Sequence, residues 1–466
     1  MDRRALPEAD HFARSVKWLD HELLLQMNTH PFSGRPIGLD RFEGSFREQM
    51  DMTIIRTLSK VLQTLFRGRP SGHVPHPRHE HSPIDLISRT APCDRDDSEL
   101  EQSLRNRSVM VTGAGGSIGS ALCRRIIKCQ PRRLVLIERS EFALYSIEKE
   151  LRKIVQTNPK IGDLEIIAHL ADCGDRPRMT SIMRERHIDV VYHAAAFKHV
   201  PIVERNEIEG IRNNSFATWR SALAAMDADV SLFVLVSTDK AVRPVGMMGA
   251  TKRLAEIIVQ SLALETTRRE TATRFAIVRF GNVIGSSGSV LPLFEEQIAE
   301  GGPITITHPE VTRYFMTIPE AATLVMQAGR MAEESPCSNP TGEIFVLDMG
   351  EPISILSLAE GLVRRAGLNV GRGRKEIEIT FSGLRPGEKL HEELTLGESL
   401  IKTEHPSIRR CFSERMPWSE LEPRLHGLEA ATDRHDVREA RRLVESFMPE
   451  DRAAECTGSI GENQQE

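Results

Sequence analysis

The sequence predicts an α/β protein: a doubly wound parallel sheet with a smaller mixed lobe toward the carboxyl end. Three observations predict it. Short apolar runs rich in β-branched residues alternate with helix-length segments between Ser108 and Arg279. A glycine-spaced turn, Gly113-x-x-Gly116-x-x-Gly119, directly follows the first of these runs. A stretch bearing an acid and two lysines, Ser237–Arg253, follows the apolar run Leu232–Val236, at the strand end where open α/β sheets place ligands.

A chain of 466 residues can bury at least one large core and carry more than one unit. Its hydrophobic content of 40% and charged content of 27% are ordinary for a globular protein. The net charge of -5 gives no general reason to bind nucleic acid. No apolar run approaches the ~18 residues of a membrane span, and the first residues lack the apolar core of a signal peptide. The seven cysteines are scattered without a Cys-x-x-Cys pair. A reducing cytoplasm is the expected home, with no disulfide framework and no zinc knuckle.

Residues 1–100 read as a leader, polar and poor in strands. Prolines separate the histidines of Gly72–His81 and deny them a helical ligand face, so a solvated linker is expected there and no metal site. Met52–Phe66 has the apolar stripe of an amphipathic helix (Ile54, Ile55, Leu58, Val61, Leu62, Leu65, Phe66). Packing on the main domain or a partner subunit is expected of it. Peripheral contact with a membrane through the flanking Arg56, Lys60 and Arg67 is the alternative.

The main domain follows at 101–290. Ser108–Val111 is the first strand, and the turn after it carries Gly113, Gly116, Ser117, Ile118 and Gly119. Glycines at this spacing permit a tight turn, close backbone approach to a pyrophosphate and close packing of helix on strand. The helix after it, Ala121–Lys128, offers free N–H groups and a positive partial charge to that pyrophosphate. The second strand, Arg133–Ile137, ends at Glu138, placed to accept hydrogen bonds from an adenosine ribose. That favours NAD as cofactor; Arg139 beside it keeps NADP as the alternative.

The third strand, Glu165–His169, leads to Asp172 and Cys173, where Asp172 serves either the adenine amino group or only a turn. The fourth, Asp189–Tyr192, runs into His193 and the small residues Ala194, Ala195 and Ala196, which let the backbone pass beneath a flat cofactor. Lys198 and His199 follow. After the fifth strand come Thr238, Asp239 and Lys240, then Met248 and Lys252, four apart and on one face of a helix over Met248–Leu264. This is a proton-transfer constellation. The sixth strand, Arg274–Arg279, reaches Asn282.

Residues 291–400 read as a smaller lobe, interleaved with the main domain, with strands near Ile304–Thr307, Ile344–Leu347 and Ile377–Thr380. Its turns hold Arg313, Arg385 and Glu388; arginines there suit a diphosphate. Residues 401–466 read as a charged tail with one helix around Asp436–Phe447 and an unstructured polar end.

These motifs resemble the CapD-type polysaccharide-biosynthesis proteins, nucleotide-sugar 4,6-dehydratases of the extended short-chain dehydrogenase/reductase superfamily. The resemblance runs from about Ser82 to Glu450. It rests on VTGAGGSIGS at 111–120, HAAAFKHVP at 193–201, STDKAV at 237–242, MGATKR at 248–253, RFGNVIGSSGSV at 279–290, THPEVTRYFMTIPEA at 307–321 and LRPGEKLHEEL at 384–394. It implies a Rossmann-type fold and an NAD(P) regenerated in each cycle. It also implies a UDP-N-acetylhexosamine substrate, with UDP-N-acetylglucosamine first, and a homo-oligomer.

By the same resemblance, Asp239 is the acid that protonates the hydroxyl leaving carbon 6, and Lys240 is the base that removes the proton on carbon 5. Each role requires a shifted pKa, the acid keeping its proton near neutrality and the lysine losing one. Lys252 holds the nicotinamide ribose. Met248 stands where most of the superfamily has a tyrosine, and a thioether cannot exchange a proton. Thr238, water or a cofactor hydroxyl would take that task. Lys198, His199, Asn282, Arg313, Arg385 and Glu388 are expected to line the substrate site. Carbon-4 epimerisation of the same sugar nucleotide is the alternative reading, and a non-catalytic dinucleotide-binding scaffold is the alternative of another class.

Overall fold

The computed structural model describes residues 94–269, 272–286, 288–335, 342–395, 400–411 and 415–448. The histidine tract, the Met52–Phe66 helix and the polar end of the tail lie outside the described residues.

Six apolar runs form the parallel strands β1 (Ser108–Thr112), β2 (Arg133–Glu138), β3 (Glu165–Leu170), β4 (Val190–His193), β5 (Leu232–Val236) and β6 (Arg274–Arg279). β1 and β5 are buried along their whole length, which is why they read as unbroken apolar runs and not as alternating ones. α1 (Asp94–Leu104) precedes them, and between them lie α2 (Ser117–Ile126), α3 (Glu141–Thr157), α4 (Arg176–Glu185), α5 (Ala217–Asp227) and α6 (Met247–Arg269). Local chemistry starts these helices. The Ser140 side chain accepts from the Ala143 N–H at the head of α3, and Asp175 accepts from the Arg178 N–H at the head of α4, with a proline in its first turn.

The small lobe supplies β7 (Asn282–Ile284), α7 (Val290–Ala299), β8 (Ile304–Ile306), β9 (Thr312–Arg313) and β10 (Phe315–Thr317). After α8 (Ile318–Glu334) comes β11 (Glu343–Leu347), then β12 (Ile353–Ser354), α9 (Ile355–Arg365), β13 (Asn369–Val370), β14 (Glu376–Ile377) and β15 (Ile379–Phe381). The last elements of the described residues are β16 (Ile401–Lys402), β17 (Ile408–Cys411), α10 (Trp418–Asp433) and α11 (Val437–Glu445).

The main sheet has nine strands in the order β16-β17-β11-β6-β5-β4-β1-β2-β3. From β3 to β6 this is the strand order of a dinucleotide-binding fold. Two findings differ from the sequence reading. The Ile344–Leu347 run belongs to the main sheet, parallel to β6, and not to the small lobe. All five residues of β11 are buried, and only a place inside the large sheet covers both faces of such a strand. The tail, in turn, contributes the antiparallel strands β17 and β16 to the sheet edge.

Helix α10 is the other addition. Leu421, Leu425 and Leu428 recur at helical spacing and pack into one cluster with Trp219 and Ile258. Pro423 inside the segment masks it in the sequence. This packing leaves α6 enclosed, so that even its Lys252, Arg253 and Glu256 are buried. Among the described residues no helix is long and apolar enough to cross a membrane.

Candidate active site

Beyond β5 the backbone stays paired with the chain after β6. The Ser237 N–H donates to Val278 O at 2.8 Å and the Asp239 N–H to Phe280 O at 3.0 Å. A single helical turn, Asp239–Ala241, then begins. Two backbone bonds thus fix Thr238 and Asp239 at the carboxyl end of the sheet, and the turn aims Lys240 beside them.

Asp239 is fully buried. Its Oδ1 accepts from the Thr238 hydroxyl at 2.8 Å and from Lys240 Nζ at 3.0 Å. Its Oδ2 makes no hydrogen bond. Lys240 Nζ also donates to Asn282 Oδ1 at 3.0 Å and lies 3.6 Å from Glu392 Oε1. The structure therefore brings Thr238, Asp239, Lys240 and Asn282 together, and adds Glu392.

In one respect it corrects the expectation. Burial works to strip the proton from Lys240, but the carboxylates of Asp239 and Glu392 outweigh it and hold the lysine above its usual pKa. The two carboxylates thus favour the protonated form of the lysine, and any role as base requires that hold to be relieved.

Met248 and Lys252 sit on one face of α6, both buried. The helix start is held by Glu204, whose carboxylate accepts from the Met248 N–H at 3.1 Å. Lys252 Nζ donates to Val236 O at 2.7 Å, at the end of β5. Burial pushes its pKa down to about 8, against the opposing pull of Glu256. Lys252 thus stands under the same strand end as the Asp239–Lys240 pair.

Behind this layer, Glu256 receives a bidentate contact from Arg279, Nε at 2.8 Å and Nη2 at 2.7 Å, a third from Arg253 at 3.0 Å, and the Ser237 hydroxyl at 2.7 Å. It ties α6, β6 and the start of the Thr238–Lys240 segment together. Burial works to raise its pKa, but Arg279, Arg253 and Ser237 overcome that and bring it to about 2.

A carboxylate held below its unfolded value stabilises the fold above that value. The contribution is lost as pH falls from about 4.5 toward about 2. We predict that Glu256→Gln flattens the acid limb of the stability curve. Glu256→Ala should cost about 3–5 kcal/mol by leaving two buried arginines uncompensated. Urea unfolding at pH 7 and pH 3 checks both; equal losses for wild type and Glu256→Gln on acidification would reject the assignment.

The glycine turn has the shape the spacing predicts. A Cβ at Gly113, whose φ is +62°, would lie 2.7 Å from the Ala195 Cα; one at Gly119 would lie 2.0 Å from Gly113 O. Ala194 and Ala195 pass directly beside the turn, and the Ala194 N–H donates to Thr112 O at 3.2 Å. Ala196 next to them is exposed.

Gly116 caps α2 without a side-chain hydrogen bond, and no acid occupies the first turn, so the N–H groups at Ser117 and Ile118 face no competing anion there. Glu138 closes the other side: Oε2 accepts from the Gly115 N–H at 3.2 Å, and Oε1 from the Arg139 and Ser140 N–H groups. A cradle that any side chain would fill, an uncapped helix start and an acid across from it fit a dinucleotide.

The remaining candidates divide. Arg139 lies over the Phe197 ring at 4.8 Å and donates to Asn213 at 3.0 Å. Asp172 accepts from the Gly174 N–H at 2.7 Å, the turn role foreseen as its alternative, and Cys173 is buried. Lys198 and His199 are exposed, His199 lying against Gly288. Arg313 is buried: it donates to Glu388 at 3.0 Å and to Leu390 O at 3.1 Å, so in this state the two residues hold each other. Arg385 is exposed at the start of the same segment.

That segment, 384–394, crosses over the Asp239–Gly246 loop. Lys389 Nζ donates to Val242 O at 2.9 Å, Arg243 meets Glu393 at 3.2 Å, and a Cβ at Gly246 would lie 2.6 Å from the Gly387 Cα. Glu392 enters the site from this strap, with a side chain only 3% exposed.

The family described as polysaccharide biosynthesis protein matches residues 109–412, from β1 to the end of β17. The capsular polysaccharide biosynthesis protein CapD of Staphylococcus aureus is 48% identical over 310 residues, covering 66% of this chain and 48% of that protein. The probable polysaccharide biosynthesis protein EpsC of Bacillus subtilis (strain 168) is 46% identical over 312 residues, with coverages of 66% and 48%. The chain thus spans about half the length of these curated relatives. Among solved structures, that of Pen from Bacillus thuringiensis shares 32% identity at a TM-score of 0.57, covering 66% of this chain and 87% of that one. With the matched residues running through the sheet, the Asp239–Lys240 pair and the strap, this chain belongs to the polysaccharide biosynthesis protein family.

Proposed function

We propose that this chain is a nucleotide-sugar 4,6-dehydratase, removing water across carbons 5 and 6 of a UDP-N-acetylhexosamine during surface polysaccharide synthesis. The observation that carries the reading is the Asp239–Lys240 contact of 3.0 Å at the carboxyl end of β5, with Lys252 buried beneath the same strand end. NAD is the cofactor this reading assigns, held by the turn at Gly113–Gly119 and by Glu138. Bound there, it supplies a hydride acceptor for sugar carbon 4 and a donor for carbon 6.

The side chains provide the rest. With carbon 4 oxidised, the proton on carbon 5 is acidic, and Lys240 removes it. Asp239, carrying a proton, gives it to the departing carbon-6 hydroxyl, which leaves as water. Lys240 then returns its proton to carbon 5. Thr238, bonded to Asp239 at 2.8 Å, is a hydroxyl that can pass the proton of the carbon-4 hydroxyl to that acid, since Met248 has none to exchange. Arg385 and Lys198 are exposed cations suited to the diphosphate.

Carbon-4 epimerisation is the second reading, favoured by one observation: Lys240 is held as an ammonium, and epimerisation needs no base at carbon 5. Incubation of the NAD-loaded protein with UDP-N-acetylglucosamine, followed by mass spectrometry, separates the readings. The expected product is lighter by one water. A new sugar nucleotide of unchanged mass would establish epimerisation, and unchanged substrate would leave only a binding role.

A further inference from the structure

Glu392 lies beside the Asp239–Lys240 pair, and the reaction scheme does not use it. It sits on the strap, nearly sealed from solvent, with Oε1 3.6 Å from Lys240 Nζ and Oε2 without a hydrogen bond. Four charged side chains face it. Lys240 and Asp239 come from the loop after β5, Arg313 from β9 with Nε at 3.9 Å, and Lys389 from its own segment. One lysine thus stands between two buried carboxylates, each with an orphaned oxygen.

In one arrangement of the pair the shared proton sits on Lys240; elimination needs it on Asp239. One proton moving from Nζ to Oδ1, across 3.0 Å, converts the first into the second with no change in net charge. Coulomb's law decides which form prevails. An ionised Glu392 stabilises the ammonium and opposes the transfer, whereas a neutral one does not. We propose that Glu392 is a positioning residue that governs which partner holds the shared proton: neutral, it frees Lys240 to act as base, and ionised, it locks Lys240 as an ammonium.

Burial raises the Glu392 pKa, and Asp239 adds to that, against Lys240, Arg313 and Lys389. Its neutral form therefore persists to higher pH than that of an ordinary glutamate. The strap that carries Glu392 begins at the exposed Arg385, so the chain that grips a diphosphate would also set the charge beside the reacting pair.

This inference rests on the dehydratase reading, and its test separates the two. Wild type and Glu392→Gln, both NAD-loaded, are compared in their kcat–pH profiles with UDP-N-acetylglucosamine. In parallel, the pH dependence of Lys240 acetylation by acetic anhydride is followed by peptide mass spectrometry. The expected result is a Lys240 labelling midpoint lower by about one pH unit in Glu392→Gln, a shift worth about 1.4 kcal/mol. In the kcat profile, the decline of wild type with rising pH is moved upward or removed in the variant. Glu392→Asp, which keeps the charge, should retain the wild-type shape.

Coincident labelling midpoints would overturn the proposal whether or not the wild type is active. So would coincident kcat profiles in a protein that does release water. A wild type that releases no water, with the labelling shift present, would remove the dehydratase reading and its catalytic consequence but leave the control of Lys240 by Glu392 in place.

Discussion

Replacing Lys240 with methionine is expected to abolish water release, lowering kcat by about 10³-fold or more while NAD stays bound. Methionine keeps most of the length and none of the basicity, so the carbon-5 proton has no acceptor; general-base contributions of ~10²–10⁴ set the scale. The empty charge also matters. Asp239 and Glu392, which now share one cation, would face each other with only Arg313 and Lys389 nearby. Glu392, whose pKa burial already raises, should then hold its proton to still higher pH, because the lysine charge that opposed this is gone. Single-turnover assays with mass detection read the first effect, and NAD fluorescence titration reads the retained cofactor. Undiminished turnover would remove Lys240 from the chemistry.

Gly119→Ala carries the second large effect. A Cβ there would stand 2.0 Å from Gly113 O and 2.8 Å from Gly113 C, both backbone atoms of the turn itself. No rotamer relieves this clash, so α2 must back away from β1, and the N–H groups at its start move with it. Overpacking of this kind costs about 1–3 kcal/mol in stability. A similar loss at the cradle weakens NAD by about 100-fold, since each tenfold is ~1.4 kcal/mol. Calorimetric titration with NAD, with circular dichroism to establish that the protein is folded, checks this. Unaltered affinity in a folded variant would place the dinucleotide elsewhere.

What the sequence made legible was local. The glycine turn, Glu138 at the end of β2 and the Thr238–Lys240 segment each follow a short apolar strand, and strand, turn and helix announce themselves within a few residues. The alanines at 194–196 were readable for the same reason. Contacts between distant segments were not. In Leu384–Leu394, Glu388, Glu392 and Glu393 are indistinguishable by spacing, yet Glu388 turns to Arg313, Glu392 to Lys240 and Glu393 to Arg243. Only the fold decides among them.

Arg313 shows the same limit, since its residue type suggests a ligand for phosphate while its neighbours in space claim it. Membership of β11 in the main sheet was hidden because sheet partnership is a long-range property, and α10 was hidden by Pro423. The pKa of Lys240 reversed for a related reason: its second carboxylate comes from another part of the chain.

The junction between β11 and β17 has a mechanical consequence. The two strands are antiparallel neighbours, with Leu347 opposite Ile408, and the Asp348 N–H donates to Ser407 O at 2.8 Å just beyond them. The chain therefore leaves the large sheet after β11 and returns to it alongside, as β16 and β17. Of the stretch between, the described residues 349–395 carry both Arg385, near one end of the strap, and Glu392, near the other. Under the proposed function, a sugar nucleotide held through its phosphates at Arg385 would load the same short segment that carries Glu392 to Lys240.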